Sequence, residues 1–279
     1  MLTLKSLSSH CYTYLVLTLC FSFFANTSIQ AQEDWVEYIT MKNKGVMSIA
    51  IDLSVDMAKP NYRNLLIVGT RFKSCLKNGF PKEEGLDKLY VYSDSTSAVI
   101  NRSTKNRLVG IITYQCMGFD VYYVKDTLDI RTNLNKLIKE RFSVPYSYVE
   151  IKKDKSWNYY FDFLYPKNLS LEFLFNQDYL RDLVLQGDDL KGLRKVDHWL
   201  YFPGVKSRNT AGERLKQLNF SLDAIAYKKE SKTPYELKVS RNDSIDPDSI
   251  EQLTTILAGL CNSLKGQYDG WSTEVKTFE

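Results

Sequence analysis

Everything after residue 195 is organised by one alternating run, Val196-Asp197-His198-Trp199-Leu200-Tyr201-Phe202. In a strand, successive side chains point to opposite faces, so Trp199 and Tyr201 lie on one face and His198, Leu200 and Phe202 on the other. A helix pattern with Ala211, Leu215 and Leu218 follows, then two strand patterns, Phe220 to Tyr227 and Tyr235 to Val239. The next helix starts at Asp246, an N-cap residue, with Pro247 at its first position and Asp248 and Glu251 in its first turn. Its apolar face is Ile250, Leu253, Leu257, Leu260 and Leu264; Gly266 stops it, and a strand from Tyr268 to Val275 closes the series. The order β-α-β-β-α-β predicts a ferredoxin-like sandwich.

The first half also mixes strands and helices. Trp35 to Met41 and Val46 to Leu53 read as a hairpin about Asn43-Lys44-Gly45. Leu65-Leu66-Ile67-Val68 is short and continuously apolar, as a fully buried strand is. Helices are expected from Lys82 to about Ser97 and from Leu128 to Phe142, and strands over 108–114, 119–124, 146–151 and 157–165. Pro166-Lys167-Asn168 marks the expected boundary, followed by a partly helical connecting arm that Gly187-Asp188-Asp189 ends. The chain therefore reads as α+β with two domains, 32–166 and 167–279, the second the βαββαβ sandwich.

Residues 1–31 are a separate object. The apolar run Tyr14 to Ala25 follows a single charge, Lys5. It is too short for a spanning helix, which needs about 20 apolar residues, and fits the core of a secretory signal peptide cleaved after Ala31. The expected location is exported, periplasmic or secreted, with no membrane span after cleavage. Cleavage removes Cys11 and Cys20 and leaves Cys75, Cys116 and Cys261. A Cys75–Cys116 disulfide is possible in an oxidising compartment. Three buried thiols acting as small hydrophobes are the preferred reading.

Two resemblances cover most of the mature chain. The segment from Gly187-Asp188 through the 196–202 run to Gly266-Gln267-Tyr268-Asp269-Gly270-Trp271 resembles the regulator of ribonuclease E activity B family. Asn78-Gly79-Phe80-Pro81-Lys82-Glu83-Glu84 and Asp154 to Pro166 resemble the bacterial domain of unknown function 695. The first family implies inhibitors that bind a cytoplasmic ribonuclease and perform no chemistry. An exported chain would not meet that enzyme, so the implied inheritance is the fold and a protein-binding habit. The second implies a fold without an established activity. Neither implies a catalytic residue here.

No dinucleotide, phosphate-loop, zinc-protease or nucleophile-elbow motif is present. His198 is the only histidine outside the signal, and Asp197 beside it points to the opposite face, so a core histidine is expected rather than a catalytic pair. A lone His and scattered Cys make no zinc site, and no metal or cofactor is expected. The carboxylates Asp188, Asp189, Asp197 and Asp269 are the candidates for an acidic cluster, and Asp188, Asp189, His198 and Asp269 for a hydrolase; a solvated helix end is the preferred reading of Asp188-Asp189. A net charge of +4 over 279 residues, with lysines interrupted by acids, argues against nucleic acid. Trp199, Tyr201, Tyr227 and Trp271 are the interface candidates, on the open face of the second sheet, where Glu236, Lys238 and Ser240 would join them. That face is expected to pack on the first domain or on a partner. The expectation is a non-enzymatic protein-binding or regulatory module with a protein partner in the envelope or outside the cell.

Overall fold

The computed structural model describes residues 34–43, 45–55, 60–142 and 146–277. The signal segment, its cleavage site and Lys44 of the first hairpin lie outside the described residues. The chain is α+β, with two distinct sheets, each carrying its own helices.

The first sheet has six strands: β1 (Trp35–Lys42), β2 (Gly45–Asp52), β3 (Asn64–Arg71), β4 (Asn106–Tyr114), β5 (Met117–Val124) and β6 (Ser147–Lys153). They lie in the order β1-β2-β4-β5-β3-β6, and every neighbouring pair is antiparallel. The helices α1 (Glu83–Ser103) and α2 (Ile130–Leu137) pack Tyr92, Ile100, Ile130 and Leu134 on Leu66, Val68, Tyr122 and Val124. The opposite face buries Ile51, Leu65, Val109, Val121 and Tyr123 under Trp157, Tyr160, Leu164 and Phe173. β3 is thus buried on both faces, which its unbroken apolar run requires.

The expected strand over 157–165 is instead a wide helical turn, Tyr159–Leu164. Aromatic residues favour strands, but one carboxylate decides otherwise. Asp154 accepts bonds from the backbone N–H groups of Asn158 and Tyr159, each at 2.9 Å, and from the Tyr123 hydroxyl at 2.6 Å. This caps the turn and lets the Trp157 ring stack on Tyr123 with centroids 3.7 Å apart. The second expected helix reaches its expected end at Phe142, but α2 gives way after Leu137 to a wider helical turn, Ile138–Phe142.

The connecting arm is one continuous helix, α3 (Leu171–Leu185), started by the Ser170 hydroxyl, which accepts from the Phe173 N–H at 3.2 Å. Its Phe173 joins the first core, while Leu180, Leu183 and Val184 join the second. The Gln177 amide oxygen accepts from the Ile39 N–H at 2.6 Å, satisfying a donor on the edge strand β1.

The second sheet comprises β7 (Arg194–Phe202), β8 (Ser221–Tyr227), β9 (Tyr235–Asp243) and β10 (Gln267–Thr273), in the antiparallel order β10-β7-β9-β8. The helix α4 (Val205–Gln217) follows β7, and α5 (Pro247–Ser263) follows β9. Both pack on one face, over Val196, Leu200, Phe202, Leu237 and Val239. Asp246 caps α5 as expected, accepting from the Ser249 N–H at 3.1 Å.

Two expectations are corrected. Cys75 and Cys116 form a disulfide across a separation of 41 residues, and among the described residues only Cys261 is a buried thiol. Gln115 and Cys116 both take positive φ (48° and 61°), as the central residues of a tight hairpin turn do. That turn carries Cys116 to within 5.9 Å, Cα to Cα, of Cys75. Asp188 and Asp189 are buried, not solvated. Arg194 reaches back from the start of β7 and grips both Asp188 oxygens, while the Leu190 and Lys276 N–H groups also donate to that carboxylate. The charge is buried because it is paired and its lone pairs are filled.

Candidate functional site

Residues directly opposite across a ladder share a face, which defines the uncovered side of the second sheet. Asp197 faces Ser240, Trp199 faces Lys238 and Tyr201 faces Glu236; across the next ladder Ala224 faces Lys238 and Ala226 faces Glu236. Among the described residues no helix lies over this set, since α4 and α5 pack on the other face. The first sheet does not cover it either: Ile39, Val46 and Phe80 join the core on the helix side.

The side chains form their own cover. Lys238 reaches Asp197 at 2.8 Å and sits 4.9 Å above the Trp199 ring. Lys228 reaches Glu236 at 3.1 Å, donates to the Tyr201 hydroxyl oxygen at 2.5 Å, and sits 4.4 Å above the Tyr201 ring. Tyr201 is only 8% exposed as a result. Lys195 bridges Asp197 (3.3 Å) and Asp223 (3.8 Å). Burial works against the Asp197 carboxylate, but bonds from Lys238 and Lys195 outweigh it and hold its pKa below the usual range. The bond to Asp197 raises Lys238, and those to Tyr201 and Glu236 raise Lys228. The face is therefore a lattice of alternating charge laid over two aromatic rings.

The four interface candidates divide. Trp199 and Tyr201 are on the uncovered face. Tyr227 lies opposite Tyr235, on the helix side, with ring centroids 5.1 Å apart. Trp271 lies opposite His198, also on the helix side, where its Nε1–H donates to Asn176 Oδ1 at 2.8 Å and its ring meets Tyr179 edge-on. Two β-bulges cause this. One between Leu222 and Ala224 and one between Tyr268 and Gly270 each add a residue, which inverts the alternation beyond them. Gly270, at φ +122°, supplies the backbone conformation of the second.

His198 is a core histidine. Its Nδ1 lies 2.9 Å from the Tyr268 hydroxyl and its ring packs edge-on against Phe220. Burial pushes its pKa down to about 4, against the opposing pull of Asp243 and Asp197, so the ring is neutral at pH 7. The hydrolase candidates are not assembled into a working set: Arg194 occupies Asp188, Lys191 pairs with Asp189, and Tyr268 engages His198. Asp269 lies in a cleft of about 450 Å³ between α3 and β10, with Glu172, Tyr179 and Trp271. Among the described residues, no group of three or more His, Cys, Asp or Glu side chains is placed to hold a metal ion. Among them, too, no helix is long and apolar enough to cross a membrane.

The comparisons agree with the residues that suggested them. Residues 33–165 match the Family of unknown function DUF695. Residues 174–273 match Regulator of ribonuclease activity B, RraB. The chain thus carries, in order, a segment similar to DUF695 and a segment similar to RraB. The RraB match runs from within α3 to the end of β10, so it includes the uncovered sheet face and both bulges. No curated protein matches. Among solved structures, one described as a "putative glycine cleavage system transcriptional repressor" is 9% identical, with 77% of this chain and 100% of that chain covered and a TM-score of 0.24. An unknown protein from Galdieria sulphuraria is 8% identical, with 76% and 99% covered and a TM-score of 0.22. At such scores neither bears on the fold or the function.

Proposed function

We propose that the chain is an exported bacterial protein whose RraB region is a ferredoxin-like βαββαβ sandwich that binds another protein through its uncovered sheet face. The observation that carries this reading is the asymmetry of that sheet. Its helices occupy one face, and the other presents Trp199 and Tyr201 between salt-linked lysines. Aromatic rings with a polar surround are the usual composition of a binding hot spot. Every lysine described on that face is answered by a carboxylate, so the face offers little net field to a phosphate backbone. The role is binding or regulation rather than catalysis, since the histidine is neutral and enclosed and the nearby carboxylates are taken up by basic partners.

Export is supported by the short apolar run from Tyr14 to Ala25 and by the Cys75–Cys116 disulfide, which suits an oxidising compartment. The partner would then be an envelope or extracellular protein, and the ribonuclease in the RraB family's name would not be it.

The test uses the mature chain as bait in an envelope extract, beside Trp199→Ala/Tyr201→Ala and a Tyr227→Ala control, all checked for an unchanged circular dichroism spectrum. The expected outcome is a protein retained by the wild type and the control and lost by the double variant, with affinity down about 30-fold or more. Equal retention by all three proteins would remove the sheet face from the proposal.

A further inference from the structure

The first sheet holds a second feature, independent of the docking face. Its cover opposite α1 and α2 is shorter than the sheet. Trp157, Tyr160 and Leu164 lie over the middle of the strands, and beyond Phe163 the face opens into a cleft of about 350 Å³. Met47, Ile67 and Ile112 form its floor and are almost fully buried. Its walls are two aromatic pairs. Phe119 and Tyr148 meet edge to face with centroids 5.7 Å apart, and Tyr159 and Phe163 are tilted at 4.8 Å.

The fold makes room for this wall. Phe119 and Tyr148 flank Gly69, their common neighbour on β3. A Cβ on residue 69 would stand 2.3 Å from Phe119 Cδ1, so the ring can lie across the strand only over a glycine.

Two lysines stand by the wall rings, and Lys152 Nζ lies 5.8 Å from the centroid of the Tyr159 ring. Lys42 Nζ sits 4.9 Å from the centroid of the Phe163 ring. Among the described residues Lys42 forms no ion pair, in contrast to Lys195, Lys228 and Lys238 on the second sheet. The nearest hydroxyls are committed: Tyr114 donates to the Lys42 carbonyl at 3.0 Å, and Tyr148 donates to Glu150. The interior therefore offers ring faces, ring edges and thioether; at the mouth Lys42 has no carboxylate partner, Lys152 stands over Tyr159, and the Glu150 carboxylate is engaged by the Tyr148 hydroxyl.

We infer that this cleft is a binding site for a small aromatic carboxylate. The ring fills the apolar floor between the two aromatic pairs, and the carboxylate reaches Lys42 at the mouth. The volume is at the lower end of ligand pockets, which start at about 300 Å³, so it suits a one- or two-ring body rather than a long chain. A positive charge over Phe163 also gains from the ring's negative face and is held toward the opening.

The probe is 2-naphthoate, titrated calorimetrically into the mature protein, with 2-naphthalenemethanol as the neutral analogue and 2-naphthylmethylammonium as the cationic one. The expected order is carboxylate tightest and cation weakest. Lys42→Gln, at an exposed position, should weaken the carboxylate about tenfold, the value of one charged hydrogen bond, and leave the alcohol unchanged. Tyr148→Ala, on the edge strand, should weaken both by removing a wall. Absence of naphthoate binding, equal affinity for the three probes, or affinities indifferent to both variants would overturn the inference. So would a dimer in light scattering that excludes naphthoate, because a second copy would then be the occupant.

Discussion

The two sheets solve the same problem differently. The six-stranded sheet is buried on both faces for most of its length, and its strand β3, one in from the edge, carries an unbroken apolar run from Leu65 to Val68. The four-stranded sheet has helices on one face, and its central strand β7 alternates. A half-covered sheet must still shield its outward aromatics, and lysine stems paired to carboxylates do that here. The difference teaches where each region is closed. The first is stapled covalently, by Cys75–Cys116 beneath the β4–β5 turn. The second is tied by a buried ion pair, Asp188–Arg194, which also holds the chain after β10 through the Lys276 N–H and the Glu274 carbonyl.

The largest break in this comparison should come from the ion pair. Arg194→Met leaves the fully buried Asp188 carboxylate without its cation, and such a removal costs roughly 3–5 kcal/mol. Urea denaturation should show that loss, with proteolysis appearing first at the C-terminal segment after β10. A loss under about 1 kcal/mol would mean that water reaches the site and that the knot is not what closes this region. Replacing both Asp188 and Arg194 with apolar residues should recover much of the stability, since the cost lies in the orphaned charge.

The covalent staple comes next. By loop entropy, a disulfide closing a separation of 41 residues stabilises by roughly 4 kcal/mol, and measured values run about 2–4. Cys75→Ala/Cys116→Ala should lower the thermal midpoint by about 10 °C in a protein of this size. The loss should be confined to the first region: amide exchange should quicken in the β4–β5 turn and the loop before α1, while β7 and β9 keep their protection. Uniform loss across both sheets would show that the regions unfold as one unit and would blunt the distinction.

What was legible in the sequence follows from how local each cause is. The cap at Asp246, the apolar face of α5 and the alternation of β7 are written within a few residues, and they are found where expected. The Trp157–Tyr165 turn was not legible, because composition favoured a strand and Asp154 overrode it from outside the run. Tyr227 and Trp271 were assigned to the wrong face because a bulge leaves almost no sequence mark; Gly270 was the one available hint. The buried state of Asp188 was hidden because its cation, Arg194, sits among exposed lysines in the sequence. The aromatic cleft on the first sheet was missed for a related reason: reading Tyr159 and Phe163 as strand residues kept them apart from Phe119 and Tyr148.

The smallest effect sharpens the comparison most, because burial moves one group on each sheet, Asp120 and His198, within the range of pH 4 to 6.5, and the two act in opposite directions. In the first, burial pushes Asp120 up to about 6 from 3.8, against the Ser93 hydroxyl bond and with help from Asp94. Between those values the folded protein keeps a proton that the unfolded chain has released, so this contribution to stability falls as pH rises from about 4 to 6. In the second, burial holds His198 at about 4 against 6.5, so the unfolded chain takes up a proton that the folded protein refuses. That contribution is present above pH 6.5 and is lost as pH falls toward 4. Each spans roughly 3 kcal/mol, at 1.36 per pH unit, and over the shared window the two nearly cancel. Asp120→Asn should therefore expose the acid loss due to His198, and His198→Gln should expose the acid gain due to Asp120. The measurement is the urea midpoint from pH 4 to 7, read as the difference between each variant and the wild type, so that a constant offset from packing drops out. Opposite slopes would establish two separately buried charges, one per sheet. Parallel profiles would mean that neither group is as enclosed as its surroundings indicate.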